Sequence, residues 1–326
     1  MSTRRRRQTR ATVGIAMVAA AGLLLAACTT SDGDTGGAKP AVLPKTLVFS
    51  PLSLAPPALR GLAEGVKGYA GSQGWEVIVQ DPNFDPVKQV QQVNEVLQSG
   101  RAGAVWVLAV APDSMAGTIR LAQEKGIPLL INGKPGEYGF MGPQPGISFD
   151  YIDYASAGSA LGEQLGACVN QKLGGSAKVL WLQSAEGTAG KEQSESSTKA
   201  ALTAVAPNAT VVQTIIVKDR AQAQTDVSST LLGHPEINAV MAVNDEGALG
   251  ALGAFAASGK KVTCLTEAGG NDEVLGLVKE GKIFAAVALQ FDADMAQSFD
   301  TLVKLQANPK AYGQVLVVPH KVIKAT

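Results

Sequence analysis

Asn244-Asp245-Glu246 sets an amide and two carboxylates side by side, just past the short apolar run Ala239–Val243 (AVMAV). A side-chain amide donates and accepts at once, so Asn244 suits a hydroxyl group that does both. Asp245 is placed to cap a following helix, and Glu246 to sit well at its positive end. Elsewhere, residues able to do chemistry are sparse. The chain has two histidines, His234 and His320, and no Cys-x-x-Cys pair, so no metal site is expected. There is no Gly-x-Ser-x-Gly elbow and no histidine beside a plausible nucleophile, so no catalytic residue is assigned and an enzyme is not expected. Gly187–Lys191 (GTAGK) has the flavour of a phosphate loop, but its glycine spacing is short and Glu192 stands where Ser or Thr is needed. Nucleotide binding is therefore rejected, and no cofactor is expected.

Elements to hold these residues can be read from pattern. Ala239–Val243 is long enough for a buried strand and too short for a helix. Gly247, Gly250 and Gly253 recur every three residues, which bares one face of the next helix for close packing on a sheet. Strands are predicted at Thr46–Ser50, Trp75–Gln80, Ala104–Val110, Ile127–Asn132 and Gly146–Asp150, alternating with helices over Ala58–Gln73, Val87–Ser99 and Ser114–Lys125. A second set follows: helices Tyr154–Leu173, Gln222–Leu232 and Ala293–Leu305, and strands Lys178–Leu182, Val211–Val217, Val262–Leu265, Phe284–Leu289 and Val315–Ile323. Such alternation predicts an α/β fold of two doubly wound parallel-sheet lobes, and 326 residues suffice for both. In an open parallel sheet, ligands bind beyond the carboxyl ends of the strands, which is where Asn244 falls.

The N-terminus reads as an address. Met1–Thr12 is basic and Val13–Leu25 apolar, but too short to span a membrane comfortably, so residues 1–27 are expected to be a secretory signal. Leu25-Ala26-Ala27-Cys28 resembles a bacterial lipobox, which implies lipid attachment at Cys28 and anchoring to the outer face of the cytoplasmic membrane. The Arg4–Arg7 run invites twin-arginine export, but Gln8-Thr9-Arg10 lacks the apolar sequel, so the route stays open. Residues 28–45 are polar and rich in Gly and Pro, the composition of a flexible tether. The zero net charge is set by five leader arginines; without them 23 basic residues face 28 acidic ones. A mildly acidic body without a basic stripe argues against nucleic acid.

Asn244–Ala251 (NDEGALGA) resembles the matching segment of ribose-type periplasmic sugar-binding proteins, in which the Asn contacts the sugar. The order of elements in the first lobe is similar too, and the resemblance covers about Lys45–Ala325. It implies a type I periplasmic binding protein fold, with a multi-strand hinge between discontinuous lobes: 46–150 plus 291–317, and 151–290 plus 318–326. It also implies a ligand set. Gln290 matches the family's Gln at the exit to the hinge. Departures are several. The first loop, Ser50–Ala58 (SPLSLAPPA), has neither the family's Asn nor its aromatics, which leaves Ser50 as its strand-end polar group. The Asp-Arg pair after the fourth strand is replaced by Gly133-Lys134, with Asn132 before it. Phe149-Asp150-Tyr151 aligns with a small polar segment near the hinge, so Phe149 is expected to supply the missing aromatic wall and Asp150 a polar contact; hinge core and helix cap are the alternatives. The arginines after the family's Gly-Thr loop have no counterpart, and Lys191 stands nearest. Thr266–Asp272 is expected as a strand-end loop with Glu267 as its carboxylate, and Lys218 falls in another such loop.

Cys168 and Cys264 invite a disulfide in an exported body, worth on the order of 4 kcal/mol for a loop of about 95 residues. Two buried cysteines that never meet are the alternative, since sequence cannot place their Cα atoms. The function expected is a monomeric lipoprotein that captures a sugar or polyol, or else a sugar acid, and delivers it to an ABC permease and its ATPase. A ligand-binding sensor on the same fold is the alternative.

Overall fold

The computed structural model describes residues 43–325, so the signal peptide, Cys28 and nearly all of the tether lie outside the described residues. Lobe one opens with β1 (Thr46–Ser50), α1 (Pro57–Ser72), β2 (Glu76–Val79), α2 (Pro86–Ser99) and β3 (Ala104–Val107). It continues with α3 (Ala116–Lys125), β4 (Leu129–Asn132) and β5 (Ile147–Tyr151). Lobe two contains α4 (Tyr154–Lys172), β6 (Ser176–Gln183), α5 (Lys191–Val205), β7 (Asn208–Ile216) and α6 (Arg220–Gly233). Then come β8 (Ala239–Ala242), α7 (Asp245–Ala257), β9 (Cys264–Gly269), α8 (Asp272–Lys279) and β10 (Ala285–Leu289). The chain returns to lobe one through α9 (Phe291–Ala307) and β11 (Val315–Val317), and ends on lobe two with β12 (His320–Lys324).

Each lobe is one six-stranded sheet, ordered β11-β5-β4-β3-β1-β2 and β12-β10-β9-β8-β6-β7. Every pairing is parallel except β10 with β12. Helices cover both faces, which is why central strands such as LVF and AVMA are apolar throughout rather than alternating. Leu47 and Phe49 pack toward α1 and α9, while Val48 packs toward α2 and α3. In lobe two, Leu182, Val240 and Leu265 face α6, α7 and α8, and Val179, Met241 and Cys264 face α4.

Glycines let α4 and α5 touch backbone to backbone. A Cβ on Gly158 would fall 2.3 Å from the Ser194 carbonyl oxygen, and one on Gly162 would fall 2.2 Å from that of Thr198. Thr198 Oγ1 donates to the Gly158 carbonyl at 2.9 Å across the same seam. Cys168 on α4 and Cys264 at the start of β9 are both fully buried, with Cα atoms 5.7 Å apart and sulfurs at bonding distance.

Strand ends shift by up to three residues from the sequence reading, as where β3 stops at Val107 and β7 begins at Asn208, and two larger differences bear on the site. β9 runs on to Gly269, so Thr266 and Glu267 are strand residues rather than loop residues. The expected strand Val315–Ile323 is two strands, because the chain leaves one sheet at Val317 and joins the other at His320, with Pro319 between. No described helix is long and apolar enough to cross a membrane.

Candidate ligand cleft between the lobes

Three short segments cross between the lobes, and all leave from carboxyl ends of parallel strands. They lie after β5, after β10, and between β11 and β12. Val318 N–H donates to the Tyr151 carbonyl at 2.9 Å, and Gln290 N–H to the Pro319 carbonyl at 2.8 Å, so the crossings are laced together. Gln297 on α9 adds a bond to the Val317 carbonyl at 2.9 Å. The carboxyl edges of the two sheets therefore face each other across a cleft. A cavity of about 430 Å³ opens there, with Asn132, Lys134 and Glu137 on one side, Tyr151 and Tyr154 at the crossing, and Gln193 on the other. A larger hollow of about 910 Å³ lies on the outer side of lobe two between α7 and α8, lined by residues of that lobe alone, from Arg220 and Glu273 to Lys260 and Lys282.

Of the residues singled out by sequence, Asn132 and Lys134 reach this cavity. Asn132 is half-buried, and its Nδ2 donates to the Asp150 carbonyl at 3.3 Å. Lys134 is exposed, with Nζ 4.7 Å from the centre of the Tyr151 ring. Gln290 is half-buried at the hinge, where its Nε2 donates to the Ala288 carbonyl at 3.1 Å. Lys218 is exposed in the loop between β7 and α6.

Asn244 stands at the carboxyl end of β8, but it and not Asp245 caps α7: its Oδ1 accepts from Gly247 N–H at 2.8 Å. Its Nδ2 has no partner among the described residues, and the side chain is not part of the lining of the cleft cavity. Asp245 turns instead to the next loop, where its Oδ1 accepts from Gly270 N–H at 2.8 Å and Asn271 N–H at 3.0 Å. Gly269 makes room for this, since a Cβ there would lie 2.6 Å from the carboxyl group.

The remaining assignments are corrected. Ser50 is fully buried, and its Oγ accepts from Gln89 Nε2 at 3.1 Å. Gln89, which sequence reading passed over as one glutamine of several on α2, also donates to the Leu108 carbonyl and accepts from Val110 N–H, tying the loops after β1 and β3. Phe149 is fully buried against Tyr138 and Phe140, with ring centres 5.6 and 6.2 Å away, so it is lobe-one core and offers no wall to the cleft. Asp150 alternates with it and points the other way, toward α9 and Asp294. It is 2% exposed, and its carboxyl is pushed up to about 8 by burial and then by the neighbouring Asp294. Trp106 opposes that rise only in part: neither Asp150 Oδ1 nor the indole nitrogen makes a hydrogen bond of normal geometry.

Lys191 spends its charge inside lobe two, on Glu195 at 2.6 Å and Glu186 at 3.5 Å. Burial works against that charge, but bonds to and attraction by Glu195 and Glu186 outweigh it and hold the ammonium above its ordinary value. Glu267 has no exposed surface, and neither carboxyl oxygen has a partner among the described residues. It lies on the face of β9 that carries Leu265, under α7. Burial, then the charge of Asp245, pushes it up to about 9, so it is a neutral acid in the core rather than a sugar ligand. Tyr151, Tyr154 and Gln193 line the cavity and were not singled out by sequence, since nothing local separates them from ordinary residues at the end of a strand or the start of a helix.

The sequence matches the periplasmic binding protein domain family over residues 48–310. The chain belongs to that family. The family is one of binding proteins, not enzymes. Among curated members, the ribose import binding protein RbsB of Haemophilus influenzae is 28% identical over 245 residues, 75% of this chain and 80% of that protein. The xylitol-binding protein of Mycolicibacterium smegmatis is 28% identical over 233 residues, 70% of this chain and 62% of that one. Among solved structures, an ABC transporter periplasmic solute-binding protein from Actinobacillus succinogenes with bound D-allose superposes with a TM-score of 0.67 at 20% identity, covering 86% of this chain and 97% of that one. The periplasmic binding protein fold thus accounts for the paired sheets and the triple crossing alike.

Proposed function

We propose that this protein is an exported, lipid-anchored solute-binding protein that captures a small sugar or polyol between its lobes and hands it to an ABC permease and its ATPase. The observation that carries the reading is the cleft itself. Its two walls share three crossings, and its cavity presents the amides of Asn132 and Gln193 beside the rings of Tyr151 and Tyr154. Amides pair with hydroxyls in both directions, and aromatic rings suit the apolar face of a carbohydrate. Closure replaces the ligand's water by such groups from both lobes. The names of the ribose- and xylitol-binding relatives point to the same ligand class. Lys134, Lys218, Asn244 and Gln290 are the further side chains we assign to the cleft.

The anchor is assigned to Cys28, with the body acting as a monomer that binds no nucleic acid. A thermal-shift screen over pentoses, hexoses, polyols and sugar acids tests the ligand class. A ligand at 100 times its Kd adds about 2.7 kcal/mol of stability, enough for a clear upward shift. A flat response across neutral sugars and polyols, with a rise for sugar acids alone, would overturn the proposed class.

A further inference from the structure

Sheet order fixes which strands lie farthest from the hinge. The crossings leave from β5, β10 and β11, at or next to one edge of each sheet; β2 and β7 are the opposite edges. Just past the carboxyl end of β2 stands Phe84, 51% exposed, and Ile216, 37% exposed, is the last residue of β7. Each lobe therefore carries an uncovered apolar side chain at the mouth of the cleft.

Phe84 is also held in an unusual way. Asn83 and Phe84 have φ of +55° and +60°, the only positive values at non-glycine positions among the described residues. Bulky residues seldom take this region. The turn is nevertheless firmly stitched. Asp81 Oδ1 accepts from Asn83 N–H at 2.9 Å and Leu54 N–H at 3.1 Å, and Phe84 N–H donates to the Leu52 carbonyl at 2.9 Å. The loops after β1 and β2 thus form one base that presents the ring outward. Phe49, Trp106 and Phe149 fill lobe-one cores instead, and the exposed Tyr312 precedes β11 at the opposite end of the sheet. An observed backbone outlier that displays an apolar group to water points to a contact made in another state.

We propose that Phe84 and Ile216 are the two lips of the cleft, and that they meet when the lobes close. The proposal rests on the binding-protein reading for the closure motion, but it needs no particular ligand. Burying the two side chains against each other favours the closed form and keeps water out of the mouth. Closed conformers of such two-state proteins are commonly populated at 0.1–10% without ligand, enough for chemical trapping.

The test is a cross-link in the full chain. Phe84→Cys and Ile216→Cys are combined with Cys28→Ser, which removes the other accessible thiol, since Cys168 and Cys264 are fully buried. The ligand-free protein is treated with copper phenanthroline, quenched with N-ethylmaleimide, and resolved by non-reducing electrophoresis and peptide mapping. The control pairs Phe84→Cys with Leu232→Cys, which is 87% exposed in the last turn of α6, at the end of lobe two away from the cleft. The expected result is an intramolecular 84–216 bond forming at least about tenfold faster than 84–232. Equal rates in two variants that melt like the wild type would overturn the proposal. The two readings fail separately. A sugar-induced thermal shift with no 84–216 bond removes the lips alone, and the bond without any shift leaves the lips standing and removes the ligand class.

Discussion

Glu267→Gln is the sharpest probe of the buried core beneath the cleft. The wild-type carboxyl has no exposed surface and no partner for either oxygen among the described residues, and it is pushed up to about 9 by burial and then by Asp245. In the unfolded chain it titrates near an ordinary glutamate, at about 4.3. Its contribution to stability is therefore fully present below about pH 4.3 and is lost as pH rises through about 9, because over that window the folded state keeps a proton that the unfolded state releases. The slope is about 1.4 kcal/mol per pH unit for one such group, or on the order of 4 kcal/mol between pH 5 and pH 8. Asp150 adds a similar slope up to about pH 8, which the substitution leaves untouched. Glutamine keeps the shape and removes the titration. Urea unfolding followed by circular dichroism at pH 5, 6, 7 and 8 should find the variant within about 1 kcal/mol of wild type at pH 5 and more stable by a few kcal/mol at pH 8. Parallel stability curves for the two proteins would refute the reasoning, since they would mean that Glu267 is already ionised in the fold.

Four further outcomes are expected. Asn244→Ala should lower ligand-free stability by about 1 kcal/mol through loss of the α7 cap, while Asn244→Asp keeps it; equal melting temperatures for wild type and the Ala variant would remove the cap assignment. Gly162→Ala should cost about 1–3 kcal/mol, because its Cβ would press on the Thr198 carbonyl; an unchanged denaturation midpoint would show that α4 and α5 separate freely. Cys28→Ser should move the protein from the membrane to the soluble fraction with its melting temperature intact, and retention at the wild-type level would sink the anchor. Thiol titration of the unfolded, non-reduced Cys28→Ser protein should find no free thiol, whereas two per chain would exclude a Cys168–Cys264 bond.

What the sequence determined by itself is what near neighbours decide. Ala239–Ala242 is a strand because four apolar residues in a row can be buried on both faces of a parallel sheet, and Gly250 and Gly253 do bare a face of α7 for close packing, although what lies on it is α6 rather than the sheet. The placement of Asn244 past a strand end, and hence the cleft side of lobe two, follows from the same local pattern. Direction at a strand end is different. Asn244 and Asp245 are both able to cap α7, and the choice falls to Asn244 because a loop 25 residues on offers Asp245 two backbone N–H groups. Phe149 and Asp150 stand at one strand end on opposite faces, and both are covered: one by Tyr138 and Phe140, the other by α9, which returns from more than 140 residues later. Glu267 reads as a loop carboxylate until β8 and β10 pair on either side and carry it into the sheet. Side-chain alternation along a strand is legible in sequence, but which face is roofed depends on helices that arrive from distant parts of the chain, and only the tertiary structure brings them there.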